Sequence, residues 1–511
     1  MELVASDTTS KKGILTAAKG GGITFFGSLV EYAFRFAFSI VLTRSIGAEQ
    51  FGLYNLALTV AAFAAVFADL GLPHGVVRFV PIFIQERDED GLWGLLQSTT
   101  TLIGAISLFF ATGLFVLADP LAEQVFHEPS LAPFLRLTSI AVPFTALAPI
   151  VVAATRGFKQ MQYKVYAQDI AFQIIKFILM VILLSFGLGV SGALMAHIIA
   201  LAVAIGLLFY FLHRLFPLNR PPRSARWEIG NLLRFALPLY FGNLIGQFSG
   251  DIETLLLGML DTAVSVGIYA VAFRVSAVGR MFLLSIGLVA MPIVSDLYHR
   301  RDYAQLDSLY QTVTKWSFSF NLPFLVTVLL FARPLLSIFG SDFGTGAPSL
   351  IVLSLGILAD AAIGIPGVLL SMTGRSKLHL LNSIVGVITT VSLSLLFIPR
   401  WGAFGAAIAA AVSLTVDNAL ALLEVFILYR LWPYNRGFVK PLIASLMAAA
   451  ITFGVNHWIP TGPTLSFSLV FNIAVLWLSY AMGLMLLGIS QEDKLILSTL
   501  KARLNSTVRR R

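Results

Sequence analysis

Arg35, Arg78, Lys176, Arg274 and Arg280 stand inside long apolar stretches of this sequence, where charge is expensive. On insertion scales such a group at membrane depth costs roughly 2.5–3.5 kcal/mol. A guanidinium kept there calls for an anion, and its planar fork fits phosphate bidentately. The chemistry open to this basic set is the binding of a phosphate or diphosphate. A second set is acidic: Asp69, Asp251, Glu253, Asp360 and Asp417 also fall in apolar stretches. A carboxylate in a low-dielectric site can take up and release a proton. These five are therefore candidate carriers of a coupling ion, H+ or Na+.

Spacing refines both sets. Glu31 and Arg35 are four apart, which fits either an intrahelical ion pair or a charge exposed to a cavity. Asp251 and Glu253 are two apart and point in different directions, so they do not form a carboxylate pair. Arg274 has no acid near it in sequence, so its partner must come from another helix or from a ligand. Gly71 and Pro73 lie between Asp69 and Arg78 and predict a kink.

Other chemistries are excluded. The sequence has no Cys, which rules out disulfides, thiol catalysis and zinc–thiolate sites. Its 7 His are scattered without ligand spacing. No phosphate-binding loop, metalloprotease helix motif or nucleophile elbow occurs. No enzyme activity, metal or cofactor is expected.

Helices must position these charges. Apolar residues make up 57% of the 511 and charged residues 12%. A helix of roughly 20 apolar residues crosses a bilayer core. The pattern predicts fourteen such helices, near 22–44, 53–82, 94–118, 131–154, 165–187, 190–212, 232–260, 265–293, 312–332, 347–372, 378–398, 402–431, 438–459 and 465–488. The first apolar run is too long for the core of a cleavable signal peptide and serves as an anchor. With the N-terminus in the cytoplasm, the inner connectors hold Arg156, Lys159, Lys164, Arg220, Arg223 and Arg226, and the tail adds Arg509, Arg510 and Arg511. The outer ends hold only Arg44, Arg136, Arg333 and Arg400. That asymmetry is the positive-inside rule. It predicts a multi-pass protein of a prokaryotic plasma or inner membrane with both termini cytoplasmic. It also explains the net charge of +9 without a nucleic-acid partner.

The chain repeats itself. Gly52-Leu53-Tyr54-Asn55-Leu56-Ala57 recurs as Gly267-Ile268-Tyr269-Ala270-Val271-Ala272. Gly189-Val190-Ser191-Gly192 recurs as Gly402-Ala403-Phe404-Gly405 at nearly the same offset. The fold expected is all-α and polytopic: an N-lobe at 13–216, a cytosolic linker at 217–231, a C-lobe at 232–432, an added helix pair at 437–490 and a basic tail at 491–511. Two six-helix lobes of one topology are pseudo-symmetric about the membrane normal, with a substrate site between them.

Three segments resemble one family. They are Thr43-Arg44-Ser45-Ile46-Gly47-Ala48-Glu49-Gln50-Phe51-Gly52-Leu53-Tyr54; Asp69-Leu70-Gly71-Leu72 followed by Arg78; and Tyr269-Ala270-Val271-Ala272-Phe273-Arg274 followed by Met291-Pro292. They are similar to the Wzx-like polysaccharide-transport branch of the multidrug/oligosaccharidyl-lipid/polysaccharide exporter superfamily. The resemblance implies a flippase of polyprenyl-diphosphate-linked oligosaccharides, serving O-antigen or other surface polysaccharide biosynthesis. It implies that Arg35 and Arg274 bind the diphosphate, with Arg280, Lys176 and Arg78 in support. A polysaccharide polymerase or co-polymerase is the expected protein partner. Lipid II flippases are similar but carry more basic residues in the first span. Cation-coupled multidrug exporters of the MATE type usually have twelve helices and an acid-lined pocket. A membrane glycosyltransferase or polymerase of the same pathway needs a substantial outer loop, and no connector here is long enough.

Overall fold

Glycines set where the long helices of this protein break. The computed structural model describes residues 2–217, 229–459 and 467–488, and these contain helices and no strand. Most of the expected linker at 217–231 and all of the basic tail at 491–511 lie outside the described residues.

Helix α1 (Glu2–Asp69) is interrupted at Gly47, whose φ of 78° suits a residue without Cβ. Helices α2 (Leu72–Glu86), α3 (Glu89–Val116), α4 (Ala132–Ser139) and α5 (Ala141–Gly157) follow. A π-helical turn at Val165–Ala171 leads into α6 (Phe172–Ser185), and α7 is Gly189–Leu215. Then come α8 (Ile229–Leu260), α9 (Ala263–His299), α10 (Tyr303–Ser337), α11 (Ala347–Ile363), α12 (Pro366–Met372), α13 (Ser376–Tyr429), α14 (Val439–Trp458) and α15 (Phe467–Leu486). Helix α13 is interrupted at Gly402, with φ 51°.

Ten helices among the described residues are long and apolar enough to cross a membrane, or eleven if the pair Pro129–Ser139 and Ala141–Gly157, bent by 42°, counts as one span. The protein is thus a multi-pass membrane protein. Three of the expected spans are broken, the first at the kink that Gly71 and Pro73 predict. The 53–82 span stops at Leu70 and Gly71, both at positive φ, and restarts with Pro73 in the first turn of α2. Pro lacks the N–H that a continuing helix needs there. The 131–154 span bends at Ile140. The 347–372 span breaks at Gly364, with φ 87°, before Pro366.

The chain divides into two compact units, Met1–Gly267 and Ile268–Arg511. In the first, α5 is central and packs against α1, α2, α3 and α7. Many of its buried side chains are small, Ala146, Ala148, Ala153, Ala154 and Thr155 among them. Small residues let helix backbones approach closely where lipid offers no hydrophobic drive. In the second unit a core cluster gathers Tyr310 with Leu283, Val294, Leu306, Leu369 and Val425. Tyr310 donates to the carbonyl of Ile363 at 2.9 Å, which satisfies the C-terminus of α11 at its break. Helices α14 and α15 pack on each other and on α10, where Tyr480 donates to the Ser319 carbonyl at 2.6 Å.

Candidate functional site

The first unit holds a cavity of about 600 Å³ lined by both apolar and ionisable side chains. Helix α5 gives it one face: Thr145, Ala146, Pro149, Val152, Ala153 and Arg156 recur at helical spacing. From Thr145 to Arg156 that face runs about 16 Å along the helix. The last turns of α1 add Ala62, Ala65, Val66 and Asp69, and α2 adds Pro73, His74 and Val77. Lys164 and Gln168 come from the π-helical turn and its start, and Asp251 comes from α8. Five ionisable side chains therefore share one cavity: Asp69, His74, Arg156, Lys164 and Asp251.

Breaks in the helices make this wall. The stop at Gly71 puts Asp69 at the last position of α1. Oδ1 of Asp69 is buried with no hydrogen-bond partner among the described residues. Pro149 removes an N–H from the middle of α5. At the other end, Arg156 projects from the last turn of α5 and is exposed, with no ion-pair partner among the described residues. Lys164 pairs with Asp169 at 2.8 Å.

The expected residues divide among several places. Asp69 and Asp251 share the cavity wall, and Arg35 lies near enough to act electrostatically on Asp251. Arg35 also donates to Glu31 at 3.4 Å, the ion-pair reading of their spacing. Arg78 is outside the lining, with its guanidinium 4.3 Å from the ring centroid of Phe235. Lys176 is buried between Phe38 and Phe172, with Nζ 4.6 and 4.9 Å from the two centroids. Glu253 is buried on α8.

In the second unit Arg274 is half-buried on α9. Arg280, two turns further on, sits 3.8 Å from Asp360 of α11. Arg280, His379 and Glu424 all act electrostatically on Asp417 of α13. Asn382 donates to Glu424 at 2.7 Å. Asp360 and Asp417 thus belong to one polar cluster in that unit. Among the described residues no group of His, Cys, Asp and Glu is placed to hold a metal ion.

Arg156, Lys164, His74 and Gln168 were not singled out from the sequence as site residues. The available signal was the face of α5: small residues at helical spacing that end in an arginine.

The family model described as "Polysaccharide biosynthesis protein" matches residues 17–298, and the model "MatE" matches 238–400. The chain is 22% identical to the probable low-salt glycan biosynthesis flippase Agl15 of Haloferax volcanii, over 84% of this chain and 88% of that one. It is 24% identical to the succinoglycan biosynthesis transport protein ExoT of Rhizobium meliloti, over 90% and 91%. Among solved structures, lipid II flippase MurJ in an inward closed conformation aligns with TM-score 0.74 and 14% identity, over 92% of this chain and 98% of that one. An inward-facing MATE family multidrug resistance transporter aligns with TM-score 0.64 and 16% identity, over 78% and 94%. Both structural matches show a shared fold.

Proposed function

The chain belongs to the polysaccharide biosynthesis protein family, and on that premise we propose that it is a flippase for a polyprenyl-diphosphate-linked oligosaccharide. It carries the head group from the cytoplasmic to the outer leaflet for assembly of a surface polysaccharide, by alternating access. The relatives are named as flippases and transporters, which supports transport over a glycosyltransferase or polymerase reading. The observation that carries the proposal is the cavity in the first unit: a charged, roomy site among apolar spans, where lipid alone could hold neither phosphate nor sugar.

The test is leaflet transfer. Purified protein in lipid vesicles is given a fluorescent polyprenyl-diphosphate oligosaccharide, and chemical quenching from outside reports the fraction in each leaflet. The proposal expects transfer well above that of empty vesicles. Transport of cationic drugs or of lipid II with no transfer of the oligosaccharide lipid would overturn it.

Fourteen crossings follow if Glu2–Asp69 divides at Gly47, Ser376–Tyr429 divides at Gly402, the bent pair is one span and Ile229–Leu260 is added. The 54 residues of Ser376–Tyr429 would extend about 81 Å as one helix, far beyond a bilayer core of ~30 Å, which supports the division. An even count supports both termini on one side, and the basic inner connectors support the cytoplasm of a prokaryotic plasma or inner membrane as that side. Reporter fusions at Gly187 and Arg511 check this, with an outer signal at the first and a cytoplasmic one at the second.

Within this reading Arg35 and Arg274 are head-group ligands, supported by Arg280, Lys176 and Arg78. Coupling runs through H+ or Na+ at Asp69, Asp251, Glu253, Asp360 or Asp417. A polysaccharide polymerase or co-polymerase would receive the product, and co-purification from a native membrane tests that partner.

A further inference from the structure

Two cations on the cavity wall of the first unit belong to none of those assignments. Arg156 closes the lining face of α5, and Lys164 lies where the π-helical turn begins. Both fall in a connector that the charge asymmetry places at the cytosolic side. The remaining charges of the wall, Asp69 and Asp251, are acidic and come from other helices. One cavity thus carries two fixed cations on one connector and two carboxylates elsewhere on its wall.

The backbone holds Lys164 in place. On an α-helix, residues three and four apart share a face, and residues five apart do not. Lys164 and Asp169 are five apart and yet bonded. The π turn explains this, because its i→i+5 hydrogen bonding, seen at Phe172 N–H to the Ala167 carbonyl, brings such residues into line. The Asp169 side chain is 2% exposed and that of Lys164 28% exposed. The ammonium therefore has its counter-ion on the protein side and the cavity on the other. The second carboxylate oxygen of Asp169 is buried with no partner among the described residues. Gly27 of α1 lies against it, and a Cβ there would stand 3.1 Å from that oxygen. Gln168, on the same turn, also faces the cavity and offers an amide donor and acceptor.

The geometry points to Arg156 and Lys164 as the site that receives the diphosphate of the lipid carrier at the cytosolic mouth of this cavity. This rests on the flippase reading. Arg156 has no ion-pair partner among the described residues, and its guanidinium fork fits a phosphate oxygen pair. Lys164, fixed by Asp169, adds a point charge whose orientation costs little further entropy. The carboxylates of Asp69 and Asp251 repel phosphate and accept hydrogen bonds from hydroxyl groups, so the sugar is directed toward them. The cavity has a chemical polarity: phosphate at the two cations, glycan at the two acids.

The experiment measures binding of farnesyl diphosphate, a soluble prenyl diphosphate, to the purified full chain in detergent by calorimetry. Arg156→Gln should weaken binding about tenfold, the value of one charge-assisted hydrogen bond. Lys164→Gln alone would leave Asp169 buried without its cation, so Lys164→Gln is made together with Asp169→Asn, and about a tenfold loss is again expected. Lys159→Gln removes the same charge from the same connector but outside the cavity lining, and should bind within twofold of the unaltered protein. Equal losses in all three proteins would mean general electrostatics and overturn the site, and so would wild-type binding in the first two. The two readings fail separately. Loss of binding in the variants, with no leaflet transfer by the unaltered chain, keeps the phosphate site and removes the flippase. Full transfer with unaltered binding in the variants does the reverse.

Discussion

Gly52 and Gly267 meet backbone to backbone. A Cβ on Gly52 would overlap the carbonyl of Ala263, and one on Gly267 would overlap the carbonyl of Ala48. The obstacle in each case is main chain, which cannot swing aside as a long side chain can. Gly52→Ala and Gly267→Ala should each lower stability by about 1–3 kcal/mol, the usual cost of overpacking. Thermal unfolding in detergent checks this. Gly454→Ala is the control: nothing lies within 4 Å of a Cβ there, and its melting temperature should hold or rise slightly.

Those two glycines were already paired in the sequence, as the same position of two repeats. Gly189 and Gly402 are another such pair, and both adopt positive φ, 50° and 51°. Gly192 and Gly405 are a third, each pressed against the helix before it, at Leu183 and at Phe397. The repeat was legible because glycine is demanded by backbone geometry, which duplication copies. The ion pair of Glu31 and Arg35 was legible because it is local to one helix. The cavity was not. Charge asymmetry counts Arg156, Lys159 and Lys164 alike as inner-rim residues, and only packing separates the two that line a wall from the one that does not. The same limit applies to Lys176, whose depth in an apolar stretch says nothing of the rings of Phe38 and Phe172 that enclose it. Nor does the sequence mark the π turn that brings Lys164 and Asp169 into line.

Tyr310 tests the broken helix of the second unit. Its hydroxyl is the partner of the Ile363 carbonyl at the break before Pro366. Tyr310→Phe keeps the ring among its apolar neighbours and removes only that donor. A buried carbonyl left unpaired costs about 1–3 kcal/mol. The expected outcome is a lower melting temperature with farnesyl diphosphate binding unchanged. An unaltered melting temperature would mean that water or a relaxed backbone satisfies Ile363 equally well.

Arg280 and Asp360 make a one-sided pair, the arginine 45% exposed and the aspartate 7%. Removing the cation strands a buried carboxylate, while removing both charges does not. Arg280→Gln should therefore destabilise the protein more than Arg280→Gln with Asp360→Asn does. A double-mutant cycle of unfolding midpoints reads the sign of that coupling directly. Additive effects would show that the 3.8 Å approach contributes nothing.

Asp69 and Asp251 separate coupling from binding. They face one cavity from α1 and α8, and Oδ1 of Asp69 is buried without a partner among the described residues. A carboxylate in that position is suited to carry a proton or sodium ion, and it makes no favourable contact with phosphate. Asp69→Asn and Asp251→Asn together keep the shape of the wall and remove both charges. Farnesyl diphosphate should then bind at least as tightly as before, because two like charges have left its surroundings. Transfer of the oligosaccharide lipid in vesicles should lose its dependence on an imposed proton or sodium gradient. If the double variant still responds to the gradient, coupling resides outside this cavity, and Asp360 and Asp417 of the second unit become the pair to neutralise next.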